Sequence, residues 1–228
     1  MKTTIYLVRH CEARGNIDRV FQGHYDADIS ENGRLQLERL AERFKDIPLD
    51  AVYSSPLKRA RQTAEAVNRY HHLPIELDER LEEINGGHWE GVHWDELPVR
   101  FPEEYDDWLK RPWLFRPAEG EAMTAVYARM KQALTEIAAA NRGKTVAVAS
   151  HGCAIRNALC WLKGYPPERI NEVEWCDNTA VSLLEFDEDL QPAILFENDN
   201  THLGDELTTI TKQSWWKELV GGPERQTD

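Results

Sequence analysis

The sequence has no long apolar run. Stretches such as Thr145–Ala149 (TVAVA) are typical of its apolar segments, far short of the roughly 20 residues a membrane-spanning helix needs. It is also poor in cysteine. The four at 11, 153, 160 and 176 form no CxxC pair, so a disulfide framework is not expected, and free thiols in a reducing cytoplasm are. Positive charge is short too. Lys plus Arg is 27 against 40 for Asp plus Glu, a net charge of −13. That excludes a general nucleic-acid binder and disfavours anionic membrane surfaces. It still allows a few clustered arginines to make one local pocket for a small anion. Repeats and low-complexity segments are absent, and MKTTIYLVRH reaches arginine too early for a secretory signal.

What is present is an alternation. Of the 228 residues, 41% are hydrophobic and 29% charged, as in a globular protein of one large domain. Thr3–Val8, Asp50–Ser54, Leu73–Leu77 and Lys144–Ser150 read as strands, and Ala180–Phe186 with Ala193–Glu197 as a hairpin around an acidic turn. Helical spacing marks Ser30–Phe44 with Ser30 as N-cap, a helix opened by Pro56 and running to Tyr70, Glu121–Asn141 stopped by Gly143, and Gly152–Leu162. Strands alternating with helices imply an α/β sheet flanked by helices. The order breaks over 86–120, which carries Trp89, Trp94, Trp108 and Trp113 and reads as an insertion roofing a pocket. The expected division is a domain over 1–204 and a tail over 205–228. Trp215 and Trp216 of that tail are expected to dock it on the body, Trp161 and Trp175 to be core, and the acidic clusters to be solvated faces.

In open α/β sheets ligands bind beyond the carboxyl ends of the strands. Arg9 and His10 follow the first strand, and His151 and Gly152 follow Lys144–Ser150. Ser55, Pro56 and a helix presenting Arg59 follow Asp50–Ser54. One such histidine is most often structural and one such arginine a surface charge. Two of each at the mouths of three strands point to an anion site with a nucleophile.

LVRHCEARGN, then FQG, then YSSPLKRARQTA, then LEEINGGHWEG, then ASHG, in that order from Met1 to about Glu197, resembles the histidine phosphatase superfamily. The resemblance implies a phosphoglycerate-mutase-like fold, a three-layer α/β/α sandwich with a mostly parallel central sheet. It implies that His10 is the nucleophile, that Arg9 and Arg59 hold the phosphoryl oxygens, and that His151 and Asn16 contact the phosphoryl group. Glu83, four residues before Gly87, is implied as the acid/base carboxylate with Glu82 as its rival, while Gln22, Gly23 and Gly152 would border the pocket. The chemistry agrees. A neutral imidazole attacks phosphorus well, and its other nitrogen should donate to a backbone carbonyl. Arginine forks suit three charged oxygens. A protonated His151 would add charge. Glu83 should be partly buried beneath Trp89, raising its pKa toward neutrality.

Cys11 stands where the family has glycine, so its backbone must suit an L-residue, and Ala13 replaces a usual hydroxyl. Cys11 and Cys153, each beside a catalytic histidine, are read as separate buried thiols rather than a redox pair. His24 could rim the site, whereas His71, His72, His88 and His93 read as ordinary. The expected activity is hydrolysis of a small phosphorylated metabolite, without metal or cofactor and with no nucleic-acid or membrane partner. A homo-oligomer is left open. The alternative is a cofactor-dependent phosphoglycerate mutase, against which stand EINGGHWEG and the separated Arg111 and Arg116. A non-catalytic phospho-ligand-binding relative is the third reading.

Overall fold

The computed structural model describes residues 1–210. In chain order it runs β1 (Thr3–Arg9), α1 (Arg14–Ile17), α2 (Glu31–Phe44), β2 (Ala51–Ser54), α3 (Lys58–Val67) and β3 (Ile75–Leu77). It continues α4 (Leu97–Arg100), α5 (Pro102–Lys110), α6 (Met123–Ala140), β4 (Thr145–Ser150), α7 (Gly152–Leu162), β5 (Val181–Phe186), β6 (Pro192–Asp199) and α8 (Gly204–Leu207). The six strands form one sheet in the order β3-β2-β4-β1-β5-β6. The β3–β2, β2–β4 and β4–β1 pairs are parallel, and β5 and β6 close the sheet antiparallel. The expected mostly parallel sandwich is what forms.

Strand alternation builds two cores. Ile5 and Leu7 of β1, with Val146 and Val148 of β4, join the α6 and α7 side through Met130, Leu134 and Leu159. Val8, Ala147 and Ala149 point the other way, onto Leu37, Leu40 and Phe44 of α2 and Ala64 and Val67 of α3. Successive side chains leave a strand on opposite faces, so one strand serves both layers. Ser30 caps α2 by accepting from Gly33 N at 2.8 Å. Gly143, at φ +79°, turns the chain out of α6 as expected.

The helix after β2 differs from expectation. Pro56 lies before it, Leu57 occupies the N-cap, and it ends at Val67 rather than Tyr70. The 86–120 segment is not irregular throughout. It holds α4 and α5 and short 3₁₀ turns at Gly87–Trp89, Trp94–Glu96 and Pro112–Leu114. Its anchor is Trp89, fully buried, edge-on to Phe21 at 5.5 Å and to Phe115 at 4.7 Å. The Trp89 Nε1–H donates to Glu104 at 2.6 Å.

Residues 205–210 are not a free tail. Thr209 N and Oγ1 and Ile210 N all donate to Asp177, and Leu207 O accepts from Gln36. Trp215 and Trp216 lie outside the described residues. Among those described, no helix is long and apolar enough to cross a membrane.

Trp89→Ala removes the largest fully buried side chain and leaves Glu104 without its indole donor. Urea unfolding should show a loss of about 3–5 kcal/mol.

Candidate active site

Register brings the two histidines together. In the parallel β1–β4 pair Arg9 is level with Ser150, so the next residues, His10 and His151, leave neighbouring strands at the same height. Their ring centroids are 5.1 Å apart. In the β2–β4 pair Ser54 is level with Ala149, which sets Ser55 beside them. Ser55 Oγ lies 2.8 Å from His151 Nε2. An O–H donated to Nε2 leaves the ring hydrogen on Nδ1, a buried nitrogen with no hydrogen-bond partner in the protein.

His10 is held more fully. Its Nδ1 lies 2.7 Å from the Cys11 carbonyl, and a carbonyl can only accept. The hydrogen is therefore on Nδ1 and the lone pair on Nε2. The His10 carbonyl accepts from Asn178 Nδ2 at 3.0 Å and from Thr179 N at 3.3 Å. Burial, then Arg59, then Arg9 push the His10 imidazole well below its ordinary pKa. Burial and Arg59 do the same to His151. Protonation of His151 is thus opposed, by burial first and by the Arg59 guanidinium next.

Those guanidiniums are Arg9 and Arg59, 5% and 0% exposed. Arg9 Nη1 donates to Cys176 O, and Arg59 donates to the carbonyls of Gly23 (2.7 Å), Tyr25 (3.1 Å) and Gln22 (3.3 Å). The Nε–H of each is buried and has no partner in the protein. His151 Nδ1 is a third such buried donor. Arg9 lines the cavity, whereas Arg59 and His151 stand behind the residues that line it. Gly152 lets Arg9 approach closely, since a Cβ there would sit 3.2 Å from Arg9 Nε.

Glu83 lies across the cavity, 8% exposed. Its carboxylate accepts from Cys153 N (2.9 Å), Ala154 N (2.9 Å) and Ile84 N (3.0 Å). Two of these are first-turn amides of α7, so Glu83 caps that helix from a distance. The Trp89 ring packs on Phe21, Trp108 and Phe115. Glu82 is not on the cavity. It borders a separate groove with His24, which donates there to Glu83 O. Arg129 pins the segment by donating to Arg80 O, Glu82 O and Glu83 O.

Asn16 and Gln22 line the same cavity. Asn16 Oδ1 accepts from Ala13 N, and Gln22 Oε1 is buried without a partner. Trp175, expected as core, also lines the cavity, as do Trp94 and Trp108 of the 86–120 segment. Cys11 is not among the residues of positive φ, so an L-residue fits there. Cys11 and Cys153 belong to different apolar clusters on opposite faces of the sheet. Burial pushes the Cys11 thiol up to about 12 and the Cys153 thiol well above its usual value, which leaves both unreactive.

Sequence reasoning missed Glu90. Its Oε1 accepts from His24 N (2.9 Å) and Gly86 N (2.7 Å), and its Oε2 from Tyr25 N (2.7 Å) and Gly23 N (3.2 Å). The 22–25 loop thus turns its amides to a carboxylate and its carbonyls to Arg59. The available signal was a carboxylate between Trp89 and Gly91.

Fold and geometry set a pair of neighbouring buried histidines and two buried arginines on an α/β sandwich, and residues 5–200 match the sequence model of the Histidine phosphatase superfamily (branch 1). The chain belongs to that superfamily. It is 33% identical over 204 residues to Phosphoserine phosphatase 1 of Hydrogenobacter thermophilus, covering 88% of this chain and 94% of that one. It is 30% identical over 190 residues to Probable phosphoglycerate mutase GpmB of Shigella boydii, covering 82% and 86%. The solved structure of Bacillus stearothermophilus YhfR superposes with a TM-score of 0.84 at 33% identity, covering 88% of this chain and 99% of that one.

Two outcomes are expected. Stability should fall as pH drops below about 6.5. There an unfolded chain protonates His10, His151 and His202 while the folded one does not. His202 is held down to about 4, by burial first and then by Arg43. The slope is up to about 1.4 kcal/mol per pH unit for each histidine, and urea midpoints between pH 7.5 and 4.5 measure it. Glu90→Gln turns an amide NH₂ against two backbone N–H groups in either orientation. Calorimetry should show inorganic phosphate binding weakened about tenfold or more as Arg59 loses its frame.

Proposed function

We propose that this chain is a phosphomonoesterase acting through a phosphohistidine on His10. The observation that carries the reading is the His10 Nδ1 contact with the Cys11 carbonyl, which leaves Nε2 unprotonated on the cavity that Glu83 also lines.

In the first step the Nε2 lone pair attacks phosphorus. The ester P–O bond breaks, its electron pair goes to the leaving oxygen, and Glu83 supplies that oxygen with a proton. In the second step Glu83 takes a proton from water as the water oxygen attacks phosphorus. The P–N bond breaks, its pair returns to Nε2, and inorganic phosphate leaves. Arg9 and Arg59 supply the positive charge through Nε–H groups aimed at an anion. His151 contributes as a neutral Nδ1–H donor oriented by Ser55. Asn16, Gln22 and Gly152 border the phosphoryl end, and the scheme calls on no metal or cofactor.

The mutase reading would need a cation pair in the insertion to hold a substrate carboxylate. Arg111 is instead engaged with Asp106 and Asp107, and neither it nor Arg116 is on the cavity. That favours release of phosphate over its return to substrate. A non-catalytic role is disfavoured by the presence of all five of Arg9, His10, Arg59, Glu83 and His151.

The test is phosphate release from p-nitrophenyl phosphate and a panel of metabolite monophosphates in EDTA, with 2,3-bisphosphoglycerate-dependent mutase turnover run alongside. Release should resist EDTA and vanish in His10→Ala, and Glu83→Gln should lower it by about 10²–10⁴-fold. Release that survives His10→Ala would sink the mechanism. Mutase turnover without net release would favour the alternative.

A further inference from the structure

The cavity has two chemically different ends. One is the phosphoryl end described above. The other is a wall of Val20, Phe21, Ile84, Trp94, Trp108 and Trp175. The aromatic members are contiguous. Phe21 lies 5.5 Å from Trp94 and 5.6 Å from Trp108, and Trp108 lies 6.1 Å from Trp175. Trp108 is pinned further by Phe115 at 4.9 Å, and Trp175 by the Arg156 guanidinium 4.7 Å over its ring. The wall is thus fixed by packing before anything binds.

Charge on the cavity lining is sparse. Among the described residues lining the cavity, the cation is Arg9 and the anion is Glu83, and both belong to the phosphoryl group and its proton. Neighbouring guanidiniums are committed elsewhere. Arg156 donates to Val173 O and Asn171 on the far side of Trp175. Arg111 is paired with Asp107 and Arg19 with Asp95.

We propose, building on the phosphomonoesterase reading, that the substrate is the phosphate ester of a neutral alcohol bearing one apolar ring, and not of a carboxylate-bearing alcohol. A carboxylate set against these indoles would lose its water and gain no cation. A ring there is removed from water and meets aromatic faces and edges at stacking range. The cavity is partly open to solvent, so a ring can enter along this wall.

The test compares benzyl phosphate with O-phosphoserine and 3-phosphoglycerate, with p-nitrophenyl phosphate as the reference for phosphatase activity. Benzyl phosphate and phosphoserine are both esters of primary alcohols, so their leaving groups are chemically alike. Benzyl phosphate is expected to exceed both carboxylates in kcat/KM by about tenfold or more. Trp94→Ala, at a half-buried position, should raise the KM for benzyl phosphate and lower its advantage over methyl phosphate. A loss of fold would lower both substrates together and leave that ratio unchanged. Phosphoserine or 3-phosphoglycerate matching benzyl phosphate would overturn the substrate class while leaving the phosphatase reading intact. No His10-dependent hydrolysis of any ester, p-nitrophenyl phosphate included, would overturn the phosphatase reading itself and this inference with it.

Discussion

A guanidinium with no exposure to water governs much of this molecule. Arg59 is 0% exposed, and a buried charge is tolerated only when acceptors surround it. The 22–25 loop supplies them by presenting three carbonyls. Doing so turns its amides the other way, where Glu90 collects them. Gly23 is required by the same crowding, since a Cβ there would sit 2.2 Å from both Glu90 Oε1 and Ile84 O. The 86–120 segment is therefore tied through Glu90 to the loop that holds Arg59. One buried charge is matched by the path of the loop and the seat of the insertion.

The second constraint is the parallel sheet. Its register places Arg9, Ser150 and Ser54 near one level, and the chain leaves all three strands toward the same crevice. The first turn of α7 then lies beside His10, and Glu83 closes it by accepting two of its free amides. The proposed acid/base carboxylate and a helix cap are here the same group. Its position is set by the helix backbone rather than by a flexible side-chain partner.

Much of this was legible in the sequence because it is local. A strand followed by Arg9–His10, another by His151–Gly152 and a helix start carrying Arg59 can each be read within ten residues. Periodicity likewise located α2, α6 and α7. The unread parts depend on atoms contributed by remote backbone. Glu90 acts on amides some 65 residues earlier in the chain, and Arg129 on carbonyls of 80–83. No spacing rule announces a carboxylate that serves a distant loop. Protonation of His151 is opposed by burial and by Arg59, neither of which the residues around it in the sequence announce. Pro56 misled because proline suits a first helical turn and a preceding loop equally well.

The strand that leads into His10 is the first to be made and among the last to be complete. β1 lies between β4 and β5, whose residues are translated some 140 and 180 positions later. The His10 carbonyl waits further, for Asn178 and Thr179, which Asp177 and Thr209 then secure. A nascent chain therefore carries His10 from the outset without the frame that orients it. The contacts that hold the His10 carbonyl are complete only when the chain to about residue 209 is present to fold with it.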